Sequence, residues 1–288
     1  MTELPDFRKL WNFQDATGTE QKFRELLPAA AASGDRGYLL ELNTQIARTL
    51  GMQRRFTDAH AVLDEVEAGL DETTRVARLR YLLERGRALR SGGSPDEARP
   101  LFRDAWELGR AIPHPGLAVD AAHMIALVVP PAEKRAWNDA AMRYAEKSGD
   151  AGAQQWLGAL YNNMGWDSHD EGDYEEALAL HRKCWDWHKE RNTGRGERIA
   201  KWSVAKQLRF LGRGAEALRL HEELLEEYAR EDPGGDGFVH EEIAELKHTA
   251  GDAAGAHPHF AKAAELLAAY DWIEPERMER LRKLGGVG

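Results

Sequence analysis

Five short phrases recur along the chain, each a turn-forming stretch followed by an alanine that opens an amphipathic helix. They read Arg55-Phe-Thr-Asp-Ala59, Ser94-Pro-Asp-Glu-Ala98, Gly172-Asp-Tyr-Glu-Glu-Ala177, Gly212-Arg-Gly-Ala-Glu-Ala217 and Gly251-Asp-Ala-Ala-Gly-Ala256. Ala59 and Ala98 are 39 residues apart, Ala177 and Ala217 are 40, and Ala217 and Ala256 are 39. A period of this length marks stacked supersecondary units, none of which can bury its apolar face alone. The interval from Ala98 to Ala177 is double and leaves room for one weaker unit. Its second helix is predicted to open near Glu133, after Pro130-Pro131, and to contain Trp137 and Ala140.

Twelve residues before each of these helix openings stands a small residue within another helical stretch: Ala47, Gly86, Ala121, Gly165, Ala205 and Ala244. A small side chain there lets the second helix of a hairpin cross closely, while larger apolar neighbours at i±3 and i±4 pack around the crossing. The expected element is therefore a helix hairpin, repeated six times. Composition agrees: 31% charged residues and only 11 prolines suit helices with solvated outer faces, and no alternating run of β-branched residues predicts a strand.

A net charge of -10 argues against a general nucleic-acid binder, which needs a surplus of Lys and Arg on its contact surface. The single cysteine, Cys184, allows no intrachain disulfide. The opening Met1-Thr-Glu-Leu-Pro-Asp-Phe-Arg has no basic segment followed by an apolar one, and no apolar run reaches membrane-spanning length, so a cytoplasmic location is expected. No nucleotide-binding loop, zinc-protease helix or nucleophile elbow is present. His181, Cys184 and His188 share one helical face, but two of them fall at packing positions and no second cysteine completes a zinc set. No metal, cofactor or catalytic residue is expected. Were the chain an enzyme, His123, His169, Arg209 and Glu241 would be the place to look.

These phrases resemble the tetratricopeptide repeat family, whose 34-residue hairpins favour small residues at positions eight and twenty and an aromatic residue or Leu at twenty-four. The six small residues take position eight, and alanine takes position twenty in five repeats of six. Position twenty-four is Leu63, Phe102, Trp137, His181, His221 or Phe260. The resemblance implies an all-α, right-handed superhelical solenoid of six to seven hairpins, forming a single domain over residues 1–288. Residues 4–32 are expected to form a degenerate hairpin, with Phe7, Leu10 and Trp11 in one helix and Phe23, Leu26 and Leu27 in the next. Residues 40–270 hold six repeats and 275–284 a capping helix. Extra residues are assigned to loops such as 192–196 and 232–237.

In this family the first helices line a concave surface through positions two, five, nine and twelve. The resemblance thus places Arg48, Arg80, Arg87, Arg90, Lys206 and Arg209 on that stripe, against Glu41, Glu241 and Glu245. It also places Asn162, Trp166, His169, Ile199, Trp202 and Phe238 there. A basic stripe in an acidic protein favours an anionic ligand, because guanidinium groups match carboxylates. Tryptophans supply contact area at low entropic cost. The site is expected at Arg48, Arg87, Asn162, Trp166, His169, Trp202, Lys206, Arg209, Glu241 and Glu245. The expected function is a scaffold holding an acidic peptide of a partner protein; the alternative is a small-ligand sensor using the same groove. The family's carboxylate clamp is not reproduced, since Ile199 and Ser203 stand where Lys and Arg belong. Arg85 and Asp120, at position seven of adjacent repeats, are expected to form a buried ion pair.

Overall fold

The computed structural model describes residues 4–231 and 235–287. Residues 232–234, part of the expected 232–237 loop, lie outside the described set, as do residues 1–3 and 288. The chain divides into two compact units, Met1–Leu157 and Gly158–Gly288, where the sequence reading has one domain. The described residues are helical with turns between, and contain no strand.

In the first unit a 3-10 turn, Phe7–Leu10, precedes α1 (Ala16–Ser33). Three hairpins follow: α2 (Arg36–Met52) with α3 (Phe56–Gly69), α4 (Arg75–Ser91) with α5 (Pro95–Ala111), and α6 (Pro115–Ala126) with α7 (Pro131–Lys147). The four-residue α8 (Ala151–Gln154) closes the unit. The second unit contains α9 (Leu157–Asp170) save its first residue, then α10 (Tyr174–Glu190), α11 (Arg195–Phe210) with α12 (Gly214–Glu231), α13 (Gly237–Thr249) with α14 (Ala253–Leu267), and α15 (Pro275–Gly285). The helices of each of the pairs α2–α3, α4–α5, α6–α7, α11–α12 and α13–α14 pack on one another as hairpins, and α15 packs on α14 as the expected cap.

The hairpin turns explain the register. Five of them, 53–55, 92–94, 171–173, 211–213 and 250–252, are three residues long, and the middle residue of each has positive φ: Arg54, Gly93, Gly172, Gly212 and Gly251. Glycine takes that conformation without a Cβ clash. The third hairpin differs, with four residues, 127–130, between α6 and α7. The extra residue moves its second helix one position along. Asn138, Ala141 and Ala145 are buried there, while Trp137, expected at the packing position, is half-buried against Trp106.

The small residues at position eight have a direct steric role. A Cβ on Gly86 would lie 2.5 Å from the Phe102 ring, and one on Gly165 would lie 2.7 Å from the His181 ring. The side chain at position twenty-four therefore fills the space that the small residue leaves, and Leu63, Phe102, His181, His221 and Phe260 are all buried.

Residues 4–32 depart from the two-helix expectation. Asp6 caps the turn at Phe7, Asn12 accepts from the Gln14 amide, and Asp15 accepts from Gly18 at the start of α1. Three side chains in ten residues thus compete for backbone N–H groups, which ends the first helix after one turn. The apolar residues still pack as a set: Phe7 and Phe23 are buried with Leu42 and Ile46, and Leu10, Trp11, Leu26 and Leu27 lie against them. Among the described residues no helix is long and apolar enough to cross a membrane.

Candidate functional site

The arginines of the first unit sit in a network of carboxylates. Arg87 on α4 donates to Glu84 at 2.7 Å and to both oxygens of Asp120 on α6 at 2.5 Å. Burial opposes its charge, yet Asp120 and Glu84 outweigh burial and raise its pKa. Arg80 donates to Glu41 at 2.8 Å. Arg48 on α2 lies 3.6 Å from Glu84, with its guanidinium over the rings of Trp11 and Phe13. Arg90 is exposed and makes no ion pair among the described residues.

The expected Arg85–Asp120 pair is not formed. Residues two apart on a helix point about 200° from each other, so Arg85 turns to α3 and pairs with Asp64, while Arg87 takes Asp120. Other stripe positions here are core: Thr44, Leu83, Ala118, Ala122 and Ile125 are all buried.

In the second unit, Lys206 and Arg209 on α11 share the buried Glu242 on α13, at 3.1 and 2.6 Å. Burial works against the Glu242 charge, but Lys206 and Arg209 prevail and hold its carboxyl below the usual carboxylate range. Glu241 and Glu245 receive Arg277 and Arg280 from α15. Most of the stripe's cations therefore already face internal carboxylates. Glu84 and Glu242 fall at position six and Asp120 at position seven, positions that the groove count leaves out.

The aromatic residues assemble differently. Trp166 on α9 meets Trp202 on α11 at 5.9 Å between ring centroids, Trp202 meets Phe238 on α13 at 6.4 Å, and Phe238 stacks on Trp272 at 5.8 Å. Trp166 and Trp202 are 36 residues apart, as are Trp202 and Phe238, against repeat spacings of 40 and 39 measured at Gly165, Ala205 and Ala244. Each aromatic thus falls three or four residues earlier in its repeat, about one helical turn. The result is a diagonal line across successive first helices. Between Trp202 and Phe238 lies a pocket of about 240 Å³, walled by Ile199, Trp202, Tyr228, Phe238 and Val239, with Asp236 at its edge. Ile199 and Trp272 are exposed, at 44% and 61%. Tyr228 belongs to a second helix and Trp272 lies outside the repeat register, so stripe positions do not find them.

The remaining expected residues lie near this line. His169 Nδ1 is 2.8 Å from Gln207 Oε1, and its ring meets the edge of Phe210. Asn162 donates to Asn163 at 3.3 Å and is half-buried. Cys184 is buried, and burial pushes its thiol up to about 11. His181 and His221 are fully buried, and neither ring nitrogen is hydrogen-bonded among the described residues. Burial lowers each to about 4, with His169 adding to the effect at His181. Of the residues considered for catalysis, His123 sits in the first unit against Trp156, while Arg209 and Glu241 are held by Glu242 and Arg277.

Residues 157–190, which span α9 and α10, match the sequence model of the tetratricopeptide repeat. No curated protein matches the chain. Among solved structures, it is similar to a signal-transduction ATPase with a tetratricopeptide repeat sensor from Pyrococcus horikoshii, at 15% identity and a TM-score of 0.72. That match covers 93% of this chain and 42% of the archaeal one, so the chain spans less than half of that protein's length. It is also similar to the apo form of RapI, at 13% identity and a TM-score of 0.75, over 97% of this chain and 78% of that one. The apo quorum sensor NprR from B. thuringiensis matches at 15% identity and a TM-score of 0.56, over 96% of this chain and 85% of that one. Likeness at these identities is likeness of fold. The repeat's own sequence at 157–190 stands on one of the helix hairpins found in both units, and the chain shares the fold of these repeat structures.

Proposed function

We propose that the chain is a binding module whose second unit holds a segment of a partner protein along the aromatic line, seating one apolar or aromatic side chain in the Ile199–Trp202–Phe238 pocket. The observation that carries this reading is the pocket itself: an open, almost wholly apolar recess set in a diagonal of four aromatic rings. Burying one large apolar side chain there is worth about 1.5–3 kcal/mol, roughly ten- to a hundredfold in affinity. Acidity in the partner has less support, because Lys206 and Arg209 already face Glu242. A second reading, small-ligand sensing, is favoured by a separate cavity in the first unit lined by Arg48 and Phe13. The names of two similar structures, a repeat sensor and a quorum sensor, accord with it.

A random peptide library selected on the immobilised chain tests the first reading. The wild type is expected to enrich peptides with an aromatic or branched aliphatic residue at one fixed position. Ile199→Asp is expected to lose that enrichment, since it places a charge at the pocket mouth at an exposed position that the fold tolerates. Equal enrichment by the variant overturns the assignment.

A further inference from the structure

The first unit holds a cavity of about 290 Å³ that peptide binding in the second unit leaves unused. Helices α2, α4 and α6 enclose it together with Phe13. Its polar wall carries Arg48, Glu84, Arg87 and Arg90, and its apolar wall includes Phe13, Met52 and Met124.

The two neighbouring guanidinium groups in that wall are unequally served. Arg87 holds two carboxylates in close hydrogen bonds. Arg48 has only the Glu84 oxygen at 3.6 Å, the same oxygen that Arg87 holds at 2.7 Å, and donates no hydrogen bond among the described residues. Its guanidinium rests on the Trp11 and Phe13 rings, 5.4 Å from each centroid. Burial, joined by the like charge of Arg87, pulls Arg48 below its ordinary value in spite of Glu84 and Asp120. The guanidinium groups of Arg48, Arg87 and Arg90 and the carboxylate of Glu84 line the cavity, and Asp120 pairs with Arg87 beside it. Three positive charges against two negative ones leave a single positive charge unmatched.

We propose that this cavity binds a small monocarboxylic acid with a short apolar or aromatic body, its carboxylate between Arg48 and Arg90 and its body against Phe13, Met52 and Met124. A planar carboxylate suits the guanidinium fork. One negative charge matches the excess, whereas a dianion brings a second charge towards Glu84 with nothing to balance it.

Calorimetric titration of the full chain with phenylacetate, phenylacetamide and inorganic phosphate tests the assignment. Phenylacetate is expected to bind saturably, while the amide and phosphate bind at least about tenfold more weakly. Arg48→Gln is expected to lose phenylacetate binding. Because Arg48 also packs on Trp11 and Phe13, two further variants guard against a folding defect. Arg90→Gln changes an exposed side chain and is expected to weaken binding by about tenfold. Gly51→Leu fills the cavity from a position where an added Cβ meets nothing within 4 Å, and is expected to abolish binding while keeping the fold. The proposal is overturned by absence of phenylacetate binding to the wild type or by equal binding of the amide or of phosphate. Wild-type affinity in both Arg90→Gln and Gly51→Leu overturns it as well.

Discussion

Removing Asp120, the buried carboxylate that holds Arg87, leaves a largely shielded guanidinium short of counter-charge, which is costly in a way that losing an exposed partner is not. Asp120→Ala is expected to destabilise the chain by about 3–5 kcal/mol. Asp64→Ala, which removes the exposed partner of Arg85, is expected to cost less than about 1 kcal/mol. Urea denaturation of the two variants checks the pairing, and equal losses would contradict it. His181 and His221 supply a pH test. Each has a folded pKa of about 4, depressed by burial from the ordinary histidine value of 6.5. A base with a depressed folded pKa contributes stability that is fully present above 6.5 and lost as pH falls through 4. His169 faces His181, and Glu242, Arg209, Lys206 and Lys201 surround His221. Each buried histidine is thus worth about 3 kcal/mol over that window. A variant with His181→Phe and His221→Leu, residues used at the same position in other repeats, is expected to show a flatter decline in stability between pH 6.5 and 4. An unchanged slope would place the acid sensitivity elsewhere.

Two glycines inside first helices make opposite predictions for one substitution. Alanine is the better helix former by about 1 kcal/mol. At Gly51 an added Cβ meets nothing, so Gly51→Ala is expected to raise the melting temperature. At Gly86 the Cβ would enter the Phe102 ring, and overpacking of about 1–3 kcal/mol outweighs the helical gain. A matching contrast lies in the turns, where Arg54 alone among the five left-handed middle residues is not glycine. Arg54→Gly is expected to stabilise the first hairpin by up to about 1 kcal/mol, measured by the same thermal melts. The hairpins were legible in the sequence because each turn residue, small residue and packing residue recurs at a fixed offset. The third hairpin's slip was not, since one extra turn residue leaves the apolar pattern of α7 intact while rotating it by about 100°. For the same reason Trp166 and Trp202 could be found from their positions, whereas Glu84 and Glu242 could not, and Asp120 was found without its partner Arg87. A lone buried carboxylate has no periodic signature, and its partner is chosen by tertiary packing.

Across the whole chain, each compact unit carries its own recess: a charged cavity among α2, α4 and α6, and an apolar pocket among α11, α12 and α13. The basic stripe read from the sequence becomes, in three dimensions, two sets of mostly matched charges. What is left open to a partner in the second unit is the aromatic surface. The indole N–H resonances of the nine tryptophans report on both units at once, because Trp106 and Trp137 lie in the first and Trp166 and Trp202 in the second. Titrating the labelled chain with a peptide enriched by the wild type tests the central claim most directly. The resonances of Trp166 and Trp202 are predicted to shift saturably while those of Trp106 and Trp137 stay in place. Saturable binding that leaves Trp166 and Trp202 unmoved would contradict it.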